Sequence, residues 1–241
     1  METLNDLVGY QNLKIYQNSE WFRFSLESIL LPTFVTINTN IKEILDLCTG
    51  NAPIPLILTT RTKAHITGIE IQKDIYDLAR KTIQYNNLES QIDIINDNVL
   101  NIKDKYESDT FDLITVNPPY FKVSETSNKN QDIHKTIARH EIEIKIEDII
   151  KISKKLLKNN ARLAIVHRTE RFFEIIDLLK QNNITPKRIQ FIHPKFGSPS
   201  NLFMVEAVKN GNEGVTFLNP LYVHNEDGTY RDEILKLFQK K

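Results

Sequence analysis

The sequence predicts an α/β fold: a mostly parallel sheet with helices on both faces and an antiparallel pair of strands at one edge. Three observations predict it. First, five short apolar runs rich in β-branched residues are bounded by polar or turn residues, as strands are; they are IKEILDL (41–47), AHITGIEI (64–71), QIDII (91–95), FDLITV (111–116) and ARLAIVH (161–167). Second, the segments between them carry helical spacing. Ile75, Leu78, Ala79, Thr82 and Ile83 fall on one face, as do Ile149, Ile152, Leu156 and Leu157. Strand and helix in alternation imply parallel strands whose crossovers cover both faces. Third, KRIQFIH (187–193) and NLFMVEAVK (201–209) are joined only by PKFGSPS, too short for a parallel crossover, so they pair antiparallel.

At 241 residues one α/β domain with appendages accounts for the chain. Residues 1–40 form an N-terminal arm with a helix around Ser25 to Leu31, and residues 41–241 form the main domain. Within that domain, 122–136 is a polar loop of a length usually reserved for function, and 211–241 is a C-terminal extension that turns at Asp227-Gly228 and ends in a short amphipathic helix. No stretch reaches the roughly 18 apolar residues of a membrane span, and the acidic start at Glu2 is unlike a secretory leader, so a cytoplasmic protein without membrane contact is expected. The single cysteine, Cys48, excludes an internal disulfide and a cysteine-rich zinc site. His134, His140, His167 and His193 lack HxxxH spacing and read as hydrogen-bonding residues, so no metal is expected.

Net charge is zero, but it is unevenly spread. Residues 1–150 hold 15 Lys/Arg against 22 Asp/Glu, whereas 151–241 hold 16 against 9. A basic final third fits an anionic partner such as nucleic acid, and equally fits solvated lysine-rich helices. The cations named for phosphate contact are Arg139, Arg162, Arg168, Arg171, Lys187, Arg188 and Lys195.

In open α/β sheets ligands bind beyond the carboxyl ends of the strands. After the first predicted strand comes Cys48-Thr49-Gly50-Asn51-Ala52-Pro53, a tight turn into a helix; Gly50 allows positive φ, and Pro53 sits in the first helical turn, where a missing N–H costs nothing. One glycine is too few for a dinucleotide pyrophosphate loop, which argues against NAD. Asp46 ends the first strand and Glu70 the second, 24 residues later; a carboxylate near that spacing suits ribose hydroxyls, or is simply a strand-end charge. Asp97 follows the third strand, either to approach an adenine amino group or to cap a short helix through Leu100.

The fourth strand ends in Asn117-Pro118-Pro119-Tyr120. The Asn117 side-chain oxygen is an acceptor, while the prolines bring no N–H and hold their carbonyls on a fixed φ. Two rigid acceptors suit a planar –NH₂ conjugated to a ring or carbonyl, turning its lone pair towards an electrophile, and Tyr120 offers a flat face on which a base stacks with about 1–3 kcal/mol. Positioning of this kind lowers a barrier by at most ~7–11 kcal/mol, and no strong base is needed, since the alkylated nitrogen sheds its proton readily.

The order of ILDLCTGNAPIPL, GIEIQ, INDN and NPPY resembles the class I S-adenosylmethionine-dependent methyltransferases that act on exocyclic or amide –NH₂ groups. With FRFSLESILLP, IARHE, LAIVHR, PKRI, FIHPK and PLYV, the likeness extends over most of the chain to the bacterial tRNA1(Val) adenine N6-methyltransferases, which modify adenine 37, immediately 3′ of the anticodon. The resemblance implies a Rossmann-like, seven-stranded sheet, S-adenosyl-L-methionine as cofactor and tRNA as substrate. It implies that Asp46, Cys48, Thr49, Gly50, Asn51, Glu70 and Ile71 hold the cofactor, with Asp97 by its adenine and Asn117 reaching it from the substrate side. It further implies that Asn117 to Tyr120 hold the target base and that the arm around Phe24 and Ser25 closes over the site. The usual loop is D-x-G-x-G-x-G; here Cys48 and Ala52 stand at two of its glycines. Two other readings stay open, methylation of a glutamine amide in a protein and an RNA-binding module that has lost turnover, and the oligomeric state is open too, a homodimer included.

Overall fold

The computed structural model describes residues 2–7, 9–18, 25–119 and 144–238. Strands β3 (Glu43–Leu47), β4 (His65–Glu70), β5 (Ile92–Asn96), β6 (Phe111–Val116) and β7 (Leu157–Arg168) are the five predicted runs, all parallel, in the spatial order β7-β6-β3-β4-β5. Because the chain moves outward from β3 through β4 and β5 and then returns to the other side through β6 and β7, the order reverses between β3 and β6. That is where an α/β sheet opens a crevice at its carboxyl edge.

Alternation sends neighbouring residues to opposite faces. Ile44, Ile66 and Leu113 enter one core cluster with helices α1 (Leu26–Phe34), α2 (Pro53–Thr59) and α3 (Lys73–Tyr85). Leu45, Leu47 and Ile114 enter the other, under the short helix α4 (Val99–Ile102) and helices α5 (Ile146–Leu156) and α6 (Phe172–Gln181). Each fully buried Leu or Ile contributes about 1.5–3 kcal/mol, so both faces are anchored. In α3 the predicted stripe buries Leu78, Ala79, Thr82 and Ile83, with Ile75 half-buried. Leu157 departs from its predicted helical face: α5 stops at Leu156, and Leu157, extended at φ −70° and ψ 137°, opens β7 opposite Phe111.

Strands β8 (Ile184–Lys195) and β9 (Leu202–Lys209) form the predicted antiparallel pair, but β9 lies inside the sheet, antiparallel to both β7 and β8. The pair is not the edge. The outer side of β8 carries two short parallel strands, β10 (Thr216–Phe217) and β11 (Leu221–His224), so among the described residues the sheet has nine strands where seven were expected. The C-terminal extension thereby covers backbone groups that would otherwise present an open edge, then turns at Gly228 (φ +83°) into helix α7 (Asp232–Phe238). The arm adds a hairpin absent from the prediction, β1 (Glu2–Leu7) paired antiparallel with β2 (Tyr10–Asn18).

One polar node ties the arm to the sheet. Glu206, fully buried on β9, accepts from the Thr36 backbone N–H at 2.6 Å, the Thr36 hydroxyl at 2.8 Å and Arg162 at 3.2 Å. Arg188 reaches the same carboxylate, donates to the Phe34 carbonyl at 3.0 Å and lies over the Phe34 ring. Arg61 donates to the carbonyls of Pro32 and Val35. The end of α1, where helical carbonyls lack partners, is thus capped by two guanidiniums. Replacing Glu206 with alanine strands the Thr36 N–H and removes the carboxylate that Arg162 and Arg188 share; the expected loss is about 2–4 kcal/mol in urea unfolding. A loss under about 0.5 kcal/mol, the range of surface substitutions, would show that the node does not hold the arm.

Candidate active site

The turn after β3 is built from alternating left-handed residues: Cys48 (φ +60°), Gly50 (φ +59°) and Ala52 (φ +70°). The two positions where glycine gives way to Cys48 and Ala52 therefore keep a glycine-like backbone, at about 1–2 kcal/mol each for an L-residue. Bonds from four sides hold it there. Thr49 N–H donates to the Ile69 carbonyl at 2.9 Å, Gly50 N–H to Glu70 Oε2 at 3.0 Å and Ala52 N–H to the Thr49 carbonyl at 3.0 Å. The Asn51 amide donates to the Tyr16 carbonyl at 2.8 Å, which fastens hairpin strand β2 to the loop. A Cβ on Gly50 would meet nothing within 4 Å, so the turn faces open space. Gly68, by contrast, lets the Thr49 side chain seat against β4: a Cβ there would come 2.9 Å from Thr49 Oγ1 and 2.8 Å from Ile94 Cδ1.

Gly68, Asp46 and Thr115 sit level across β4, β3 and β6. Asp46 is fully buried; its Oδ1 accepts from Thr115 Oγ1 at 2.6 Å, while Asp46 Oδ2 and Thr49 Oγ1 have no hydrogen-bond partner. Burial pushes the Asp46 carboxyl up to about 7; the hydrogen bond from the Thr115 hydroxyl opposes that rise and the nearby Glu70 adds to it. Burial also raises Glu70, against backbone N–H donors including Gln72 (2.9 Å to Oε1) and Gly50. The Cys48 thiol is pushed up by burial, then by Glu70 and Asp46, and is not a thiolate nucleophile.

Asp97 stands beside Glu70 through its N–H to the Glu70 carbonyl, 3.1 Å. Its own carboxylate is taken up by the Lys105 ammonium, the Asn101 amide (2.8 Å) and the Asn98 N–H (2.6 Å), and the Lys105 contact holds it below the usual carboxylate range. The cap of the short helix α4 is Asn98, which accepts from the Leu100 N–H at 2.9 Å. The Ile71 carbonyl accepts from Asn96 at 3.0 Å, which closes this rim.

On the far side of β3, β6 delivers Asn117, Pro118 and Pro119 to the same carboxyl edge, with Pro118 buried. Asn117 Nδ2 donates to Ser28 Oγ at 3.0 Å, from the first turn of α1, which fixes which end of the amide faces the arm. Ser28 is a contact of Asn117 that the sequence reading missed; placed between Glu27 and the apolar run that follows, it carries no local signal of that contact. Ser25 is the extended residue before α1 and its carbonyl accepts from the Ser28 N–H at 3.1 Å. Phe24, Tyr120, Arg139 and the 122–136 loop lie outside the described residues. His167, at the same edge on β7, is buried and lowered to about 4, by burial and then by Arg171, so it is a neutral hydrogen-bonding residue at working pH. Among the described residues no three His, Cys, Asp or Glu side chains cluster as a metal would require, and no helix is long and apolar enough to cross a membrane.

The cations named from sequence are mostly engaged within the fold. Arg188 and Arg162 share Glu206, Arg171 pairs with Glu174 (2.7 Å from Nε), Lys187 donates to the Asn212 carbonyl, and Lys195 pairs with Glu226 at 3.2 Å. Arg168 is exposed at the end of β7.

Two acidic strand ends around an open turn, facing an Asn-Pro-Pro turn across the switch point of this sheet, define a protein of the class I methyltransferase type. A solved predicted O-methyltransferase from Agrobacterium tumefaciens superposes with a TM-score of 0.68 at 19% identity, covering 88% of this chain and 94% of its own. Among curated proteins, the tRNA1(Val) (adenine(37)-N6)-methyltransferase of Porphyromonas gingivalis is 27% identical, covering 96% of this chain and 93% of that protein. The protein of the same name from Parabacteroides distasonis is 24% identical over 84% and 83%. The chain belongs to the methyltransferase small domain family, which it matches over residues 27–185.

S-adenosyl-L-methionine is the cofactor that this family and fold support. The residues present fit it: the turn has room above Gly50, the Glu70 carboxylate is fixed at its rim, and two buried oxygens, Asp46 Oδ2 and Thr49 Oγ1, lie unpaired beneath. For Asp46 the linkage sign is direct. An unfolded aspartate ionises near ~3.9, whereas the folded carboxyl holds its proton to about 7. Its contribution to stability is present below the unfolded value and is lost as pH rises through the folded one. Asp46→Asn removes this loss. In the cofactor-free protein, the variant should gain stability relative to wild type between pH 4 and pH 7 and hold that gain above; a difference independent of pH would contradict the assignment.

Proposed function

We propose that the protein transfers a methyl group from S-adenosylmethionine to the exocyclic N6 amine of an adenine in tRNA, adenine 37 beside the anticodon. The observation that carries this reading is the Asn117 amide, oriented by Ser28 at 3.0 Å and set on a proline-stiffened turn at the end of β6, the strand beside β3 and its Gly50 loop. The names of the Porphyromonas and Parabacteroides relatives support the substrate, and the likeness of FRFSLESILLP, NPPY and LAIVHR supports it along the chain.

The chain's own part is to bind and aim. The Asn117 oxygen accepts one N–H of the adenine amine, and the Pro118 carbonyl accepts the other. Both bonds strengthen as the nitrogen becomes cationic, and they turn its lone pair out of the ring plane. Pro118 and Pro119 keep the acceptors fixed, so reorganisation is small when charge develops. Tyr120 stacks the base. When bound, S-adenosylmethionine supplies the electrophilic methyl. Asp46 to Asn51, Glu70 and Ile71 hold it, with Asp97 at the rim. After transfer the nitrogen releases its proton to water without a dedicated base.

Residues 1–40 act as an arm that closes over this site, a reading supported by its bonds to Asn51 and Asn117. An anticodon loop offers its base at little cost because that base is already unpaired. Arg168 and Arg139 are assigned to phosphate contact, the site of action to the cytoplasm.

With labelled S-adenosylmethionine and unmodified tRNA, wild type should transfer label. Asn117→Ala should lower kcat by roughly 10²–10³-fold, the effect of losing one oriented transition-state partner. Ser28→Ala should lower kcat roughly tenfold with KM kept, and the double variant should be no worse than Asn117→Ala alone, because the two act as one unit. Cofactor affinity, read by calorimetry, should persist in each. Full transfer by Asn117→Ala would overturn the mechanism.

A further inference from the structure

The β8–β9 turn presents an aromatic side chain that the fold does not need. Strand register shows where it stands. Val116, the last residue of β6, pairs with Ile165 of β7, and β7 runs three residues further to Arg168, level with Leu202 and Ile192. The turn from His193 to Ser200 therefore projects past the carboxyl edge at which Asn117 emerges.

The turn is stiff. The His193 ring bonds the Ser198 carbonyl at 2.7 Å, Ser198 N–H donates to the Lys195 carbonyl at 3.2 Å, Ser200 Oγ donates to the Ile192 carbonyl at 2.9 Å, and Gly197 (φ +76°) makes the reversal. At its tip Phe196 is 68% exposed, touching the Tyr222 ring of β11 at 5.3 Å between centroids. A single exposed apolar residue needs no explanation; an aromatic ring held on a braced turn, backed by a second ring and flanked by cations, is a built surface. The cations are Lys195, paired with Glu226 at 3.2 Å, and Arg231, which lies 5.9 Å over Tyr222 and pairs with Glu233 at 3.2 Å. Both pairs are solvent-exposed, a setting in which an ion pair contributes little and a phosphate readily takes the carboxylate's place.

The geometry points to the β8–β9 tip, Phe196 on Tyr222 with Lys195 and Arg231, as a stacking platform for the single-stranded RNA next to the target base. The inference rests on the reading of tRNA as substrate. Flat rings between cations match unpaired bases on a phosphate chain, and such rings read RNA by stacking where side chains cannot enter a duplex. Placement at the catalytic edge lets one strand lie on the tip while its neighbour enters the Asn117 turn.

The test is fluorescence anisotropy with labelled unmodified tRNA for wild type, Phe196→Ala and Phe196→Trp, alongside methyl transfer and calorimetric cofactor binding. Phe196→Ala should weaken tRNA binding about tenfold, at the low end of what base–aromatic stacking contributes. Phe196→Trp should retain it, and cofactor affinity should be unchanged in both. A Phe196→Ala protein that binds tRNA like wild type would overturn the platform, and transfer by wild type in the same assay would show that the enzymatic reading survives it. Wild type that binds tRNA through Phe196 yet transfers no methyl would keep the platform and remove the activity. A wild-type dimer in light scattering that Phe196→Ala dissociates would assign this face to a second copy, against the proposal.

Discussion

The hydrogen bond from Thr115 Oγ1 to Asp46 Oδ1, 2.6 Å long between two fully buried residues, couples the two halves of the site. It crosses from β6 to β3 one strand position before each chain leaves the sheet. On the β3 side the backbone then turns through Cys48, Gly50 and Ala52; on the β6 side it runs into Asn117 and the prolines. A parallel pair has slanted and evenly spaced backbone bonds, and this side-chain bond adds a fixed point at the level where the chemistry is proposed to lie. Its cost is a carboxyl buried from solvent, which accounts for the upward shift of Asp46.

The N-terminal segment completes what the sheet begins. Strand β2 accepts the Asn51 amide through the Tyr16 carbonyl, and Ser28 of α1 accepts the Asn117 amide, so the N-terminal segment touches both the turn after β3 and the turn after β6. Glu206, Arg188 and Arg61 then fasten the far end of α1 to the sheet and to α2. The arm is therefore a part of the site's framework. The cations that meet it from the C-terminal third work inside the fold, which explains why a basic final third need not mean a basic surface: Arg162 and Arg188 lean on the buried Glu206 carboxylate.

Much of this was legible in the residues. Strand ends at Leu47, Glu70 and Val116 were set by β-branched runs that stop at turn chemistry, and the left-handed turn was signalled by Gly50. The hidden parts have physical reasons. The β1–β2 hairpin carries weak alternation in a polar sequence, so its pairing depends on packing against α3, with Tyr16 N–H donating to Thr82 Oγ1 at 3.0 Å. Strands β10 and β11 are two and four residues long and exist because β8 offers a free edge. The engagement of Arg188 and the orienting role of Ser28 are tertiary facts with no local signature, since the partners lie 18 and 89 residues away. Cys48 and Ala52 read as departures from a glycine pattern; in the fold they keep its φ values, so the substitution changed the strain of the turn and not its path.

The central claim is that an oriented amide and a proline-locked carbonyl aim an aromatic amine at a methyl donor. Nucleoside mass spectrometry of bulk unmodified tRNA, incubated with the protein and isotopically labelled S-adenosylmethionine, tests it most directly. The account predicts label in N6-methyladenosine and in no other nucleoside, mapped beside the anticodon. Label in a ring-nitrogen or ribose methyl, or only in glutamine when protein is supplied, would contradict it.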